Sequence, residues 1–138
     1  MSFDLLIFDP QLVEYREPAA FLEWYDDLTE WEDGVDYYDP ATASAPLQSW
    51  FHEMRIDYPP MNGPFAPSLD EIDRAQDYSI APDSIYASFS YSAGVKVVEQ
   101  AFDEAAKRSL GIFDPQDGTV YLPAPDGMAL KPAFRLGD

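Results

Sequence analysis

Few side chains in this sequence can do chemistry. There is no cysteine and a single histidine, His52, against 26 Asp and Glu residues. Without thiols there is no disulfide, no thiolate metal site and no cysteine nucleophile. One imidazole leaves a zinc or di-iron centre short of nitrogen ligands. A Ser-His-Asp relay would have to run through His52, and no serine stands in a nucleophile-elbow pattern. Helical spacing from Trp50, Phe51 and Met54 sets His52 off their apolar face, so it is expected at the surface with no catalytic role. An EF-hand needs acids at its first ligand positions, glycine at the sixth and Glu at the twelfth. Placing Gly34 sixth puts Thr29 and Trp31 in ligand places and Pro40 at the end; placing Gly118 sixth puts Phe113 and Pro115 there. Both registers fail. A looser Ca²⁺ or Mg²⁺ site around Asp33, Asp36 and Asp39 is a lesser alternative to a solvated charge run. Paired carboxylates could do glycosidase-type acid and base work, and Asp4 and Asp9, beside the first apolar run, are the acids nearest the core. Single glycines in "DGVDYYD" and "QDGTVY" make turns rather than a phosphate cradle, and "SAGVKVV" opens a helix. No catalytic set emerges, so the expectation is a protein that is not an enzyme and uses no cofactor or metal.

What stands out instead is "EWYDDLTEWEDGVDYYD", residues 23–39, where carboxylates and aromatic rings alternate with no Lys or Arg. Glu23, Asp26, Asp27, Glu30, Trp31, Glu32, Asp33, Asp36, Tyr37, Tyr38 and Asp39 form the candidate partner-binding set. A row of acids can imitate nucleic-acid phosphates or clamp the lysines and arginines of a partner's cleft, and opposed potentials speed encounter. Tyrosine and tryptophan are the anchors that dominate interface energies. The plain alternative is an ordinary amphipathic helix followed by an acidic turn. The chain as a whole carries a formal charge of -18, with 8 basic residues. That sign rules against direct binding of nucleic-acid phosphates and against adhesion to anionic membrane. It fits solubility, or a basic protein partner, probed below.

The elements that must position these residues are legible in outline. Residues 2–8 alternate with Phe3, Leu5 and Ile7 on one side and Asp4, Leu6 and Phe8 on the other. Apolar residues on both sides predict an inner strand, ended by Asp9-Pro10. Glu17-Pro18 opens a helix whose stripe is Phe21, Trp24, Tyr25, Leu28 and Trp31, with Glu23, Asp26, Asp27 and Glu30 opposite. A second helix follows Ser44 and Pro46, carrying Leu47, Trp50, Phe51 and Met54. "DYPPMNGPFAPSLDEIDRAQ" predicts a long surface loop with a short helical turn at Ser68–Arg74. Tyr78–Ile80 and Ser84–Tyr91 predict two strands; Ser92 is expected to cap a third helix with Val95, Val98, Ala101, Phe102 and Ala105 inward. A hairpin then joins Ile112–Asp114 to Thr119–Leu122 through Pro-Gln-Asp-Gly. The expected domain is residues 1–122, with 123–138 as a C-terminal tail over the surface. The element order predicts an α+β fold, a ferredoxin-like βαββαβ sandwich with an enlarged first crossover of two helices and an extra C-terminal hairpin strand. Its helices are expected on one face. The other face would then carry Tyr86, Ser88, Ser90 and Asp4, an alternative site for a small ligand or substrate.

Without its tail, the chain resembles a group of small bacterial proteins sharing "SFDL--FDP", "FLEWYDDLTEW", "YPPMNGP", "DYSIAPDSIYASFSYS" and "GIFD". Small acidic proteins of this type resemble the immunity proteins that neutralise secreted bacterial toxins. The resemblance implies an inhibitor that occludes a basic toxin domain, such as a nuclease. The opening "MSFDLLIFDP" lacks a basic n-region and a long apolar core, so the expected location is cytoplasmic.

Overall fold

The computed structural model describes residues 2–68, 75–127 and 129–136. It is an α+β fold: one six-stranded antiparallel sheet with helices packed on both faces. Strand β1 (Ser2–Phe8) leads to helices α1 (Pro18–Leu28) and α2 (Ala45–Asp57), then strands β2 (Asp77–Ile80) and β3 (Ser84–Ser90). Helix α3 (Gly94–Lys107) and strands β4 (Gly111–Asp114), β5 (Thr119–Pro123) and β6 (Leu130–Arg135) complete it. The sheet order is β2-β3-β1-β4-β5-β6.

β1 is central because both of its faces are apolar. It pairs with β3 from Ser2↔Ser90 to Phe8↔Ser84 and with β4 from Leu6↔Phe113 to Phe8↔Gly111. Leu5 and Ile7 join Leu47, Trp50, Phe51 and Met54 of α2 and Val97, Ala101 and Ala105 of α3 in one core. Trp50 Nε1 satisfies itself there on the Ala101 carbonyl at 3.1 Å. Leu6 and Phe8 point the other way, into a second core with Phe21 of α1, Phe113 and Val120. The expectation of helices on a single face is therefore corrected: the first crossover does hold two helices, but α1 covers the opposite face from α2 and α3. The reason is visible in β1 itself. Leu6 and Phe8 need a cover as much as Leu5 and Ile7 do, and the stripe of α1 supplies it.

Other differences are local. Trp31 does not continue the α1 stripe: the helix stops at Leu28, Thr29 caps it with its hydroxyl on the Tyr25 carbonyl, and Trp31 turns with φ +29. Ser92 lies in a short 3-10 turn, Tyr91–Ala93, and does not cap α3, which begins at Gly94. On α3 Val98, Ala101, Phe102 and Ala105 face the core as expected, but Val97 is buried in place of Val95, which is 69% exposed. Residues 130–135, expected in a surface tail, pair with β5 as a sixth strand, with a register shift at Val120/Tyr121. The helical turn expected at Ser68–Arg74 falls largely on residues outside those described.

The two sheet edges differ. Along β2, Ile80 N donates to the Tyr37 carbonyl at 2.7 Å, and Gln76 exchanges backbone bonds with Pro59 and Met61. At the other edge β6 carries Lys131, Pro132 and Arg135. Among the described residues, no helix is long and apolar enough to cross a membrane.

Candidate partner-binding surface

α1 is held down by Phe21, fully buried against Phe8, Phe113 and Trp24 with ring centroids 5.2–5.4 Å apart. Trp24 Nε1 reaches Asp83 at 3.1 Å, fastening the helix to the β2–β3 turn. With that side inward, Glu23, Asp26 and Asp27 are left exposed, and so are Glu30, Glu32, Asp33 and Asp36 in the following segment. Gly34, at φ +82, permits the reversal that folds this segment back. Trp31 is 36% and Tyr38 41% exposed, and Leu12, Leu22 and Val35 are exposed close by in sequence.

Two residues of the candidate set turn inward. Asp39 is half-buried, and its carboxylate accepts the Ala41 N–H at 2.9 Å to open the turn Pro40–Thr42. Tyr37 is half-buried; its hydroxyl accepts the Glu32 N–H at 2.9 Å while its carbonyl pairs with β2. Both hold the loop's shape. Asp36 Oδ1 is occupied by the Tyr38 N–H at 2.8 Å. The looser metal site around Asp33, Asp36 and Asp39 is not assembled: among the described residues, no group of three or more His, Asp or Glu is arranged to hold an ion.

Charge is unevenly shared between the two helical sides. Residues 14–39 hold ten carboxylates against one arginine, Arg16, a net -9 and half of the chain's -18. The α2 and α3 layer instead mixes Arg55, Lys96 and Lys107 among its acids, and Glu104 there pairs with Arg108 at 2.7 Å and Lys107 at 3.1 Å. Among the described residues, none of the exposed acids of α1 or its loop has a Lys or Arg within ion-pair distance.

Trp31 joins this acidic side to a polar patch of the sheet. Its ring stands edge-on to Tyr37 at 5.1 Å and to Tyr86 at 5.7 Å. The Tyr86 hydroxyl donates to Asp4 Oδ2 at 2.6 Å, and Ser88 donates to Asp4 Oδ1 at 2.8 Å. Burial, the bond to Asp4 and an interaction with the Tyr25 hydroxyl push the Tyr86 phenol far above its ordinary range, so it stays a proton donor. Gln116 clasps the Asp4 backbone, accepting its N–H at 2.6 Å and donating to its carbonyl at 2.8 Å. Asp77 faces the same side, because Asp77 pairs with Ser88 and Ser88 with Asp4 across three strands. Burial and the Asp4 charge push its carboxyl upward. The patch thus contains Asp4, Tyr86 and Ser88 from the alternative reading, whereas Ser90 is bonded to Ser92 at 3.0 Å and to Gln76 through its N–H. The sequence reading did not place Asp77, Tyr25 or Gln116 at this patch: it had Tyr25 in the α1 stripe and Gln116 in the hairpin turn. The alternation in "DYSI" was the available signal for Asp77.

Asp9 is buried, and its carboxylate accepts the Gln11 N–H at 2.9 Å. His52 is half-buried between Phe51 and Phe65, and its Nδ1 accepts from Arg55 Nε at 2.9 Å. Burial and the Arg55 charge push its pKa down, which favours the neutral imidazole. No protein-family model, curated protein or solved structure matches the chain.

Proposed function

We propose that this is an acidic binding protein that docks a basic protein partner through α1 and the loop that follows it. The observation that carries the reading is that α1 and its loop expose a run of carboxylates, with no Lys or Arg paired to them among the described residues, together with Leu22, Trp31, Val35 and Tyr38. Acids supply long-range attraction and register, and the apolar side chains supply desolvated anchors. The sequence resemblance gives the concrete form: a cytoplasmic immunity-type inhibitor that occludes the substrate groove of a basic toxin domain such as a nuclease. No bond is made or broken; inhibition is steric. The supporting scaffold is read as a ferredoxin-like core, β2-β3-β1-β4 with α2 and α3, to which α1, β5 and β6 are added.

The test is charge reversal. A toxin-like reading frame beside this gene is expected to encode the partner, and the wild type should protect cells that express it. Replacing Asp26, Asp27, Glu30 and Asp33 with Lys should raise Kd at least about a hundredfold, mainly by slowing association, and flatten the salt dependence. Unchanged binding by that variant overturns the reading.

A further inference from the structure

We propose that the patch where Asp4, Tyr86 and Trp31 meet seats one arginine side chain of the basic partner. This rests on the reading of the acidic side as a docking surface and names what enters beside it. Two independent features call for a cation there. One is carboxylate: each oxygen of Asp4 accepts a single hydroxyl, from Tyr86 or Ser88, which leaves lone pairs for further donors. Asp77 lies in the same cross-strand row, two strands from Asp4. At about 4.8 Å per strand their Cα atoms stand about 10 Å apart. Among the described residues no Lys or Arg pairs with either. The other is aromatic: Trp31, 36% exposed, packs on Tyr86, whose hydroxyl binds Asp4, and ring faces attract cations.

Arginine suits this better than lysine. A guanidinium is planar, stacks on rings and directs five donors in a fixed fork, so it can lie against Trp31 while bonding to Asp4 and the Ser88 oxygen. An ammonium is a compact, strongly hydrated point charge that gives up more hydration to enter. A free metal ion is disfavoured by the donor set, since among the described residues no three His, Asp or Glu converge.

The experiment is an NMR titration of the full chain with N-acetyl-arginine amide, with N-acetyl-lysine amide as the comparison. The arginine derivative should give saturable shifts at the Trp31 indole N–H and the Tyr86 ring and bind several-fold tighter than the lysine derivative. Asp4→Asn and Trp31→Ala should each weaken it about tenfold, and Trp31→Phe should restore part of the loss. A variant with Glu23, Asp26, Asp27 and Glu30 changed to their amides should keep arginine binding in moderate salt while its association with the toxin domain slows. Arginine binding that is absent, or indifferent to Asp4→Asn and Trp31→Ala, overturns the seat and leaves the acidic docking surface standing. If Asp4→Asn does not fold, Asp77→Asn with Trp31→Ala decides in its place.

Discussion

Asp77 is half-buried on the α1 side of the sheet, and burial with the nearby Asp4 charge raises its carboxyl above the ordinary value of 3.8. The folded state therefore holds this proton more tightly than the unfolded chain does. Stability falls as pH rises from the ordinary value through the raised one, and the cost is fully present above it. Asp77→Asn should raise Tm at neutral pH, with the gap to wild type closing as pH drops below 3.8; a lower Tm at pH 7 would contradict this. Glu104 behaves oppositely. Burial pushes it up, but hydrogen bonds from Arg108 and Lys107 prevail and hold it below 4.5. Its contribution is present above that value and lost as pH falls through the folded pKa, so Glu104→Gln should destabilise at pH 7 and become neutral in acid, as denaturation at both pH values would show. Neither behaviour was legible in the sequence. Asp77 meets Asp4 only when β3 lies between their strands, and no local pattern encodes a pairing across 73 positions.

At the scale of elements, α1 depends on one ring. Phe21 sits among Phe8, Trp24, Phe113 and Phe134. Phe21→Ala should cost about 3–5 kcal/mol in chemical denaturation and detach the acidic side along with the helix. The same core presses Phe8 flat on Gly111 of the paired strand, where an added Cβ would run into the Phe8 ring. Gly111→Ala should destabilise by about 1–3 kcal/mol, and a Phe8→Leu, Gly111→Ala double variant should recover part of that. β1, the two central helices and the β4–β5 hairpin could be read from periodicity and turn residues, because those signals are local. The face chosen by α1 could not, since an apolar stripe states that it will be covered and not by which side of a sheet. On α3 the expected inward residues Val98, Ala101, Phe102 and Ala105 do face the core, and only Val95 departs, because the buried arc is centred nearer Val97 and Ala101.

For the molecule as a whole, composition announced the charge but not its placement. Half of the surplus lies in residues 14–39, on the α1 side, and Asp4 and Asp77 extend it across the sheet. Self-repulsion at that density is screened by salt. Raising NaCl from low ionic strength to physiological levels should therefore lift Tm by a few degrees, equivalent to about 1 kcal/mol for a domain of this size. A flat or falling curve by scanning fluorimetry would mean the repulsion is already offset. The last strand was illegible because Pro132 reads as a breaker, whereas on an outer strand a missing N–H points to solvent and costs nothing.

That proline has a consequence for how the molecule meets others. One rim of the sheet is stopped by the Tyr37 carbonyl and the Pro59–Met61 segment, and the other bears an imino residue on a strand that also carries Lys131 and Arg135. Neither rim offers an uninterrupted ladder on which a foreign chain could polymerise. Contact with a neighbour is thus turned toward side-chain surfaces, and among the described residues both backbone edges are interrupted against fibril-type pairing.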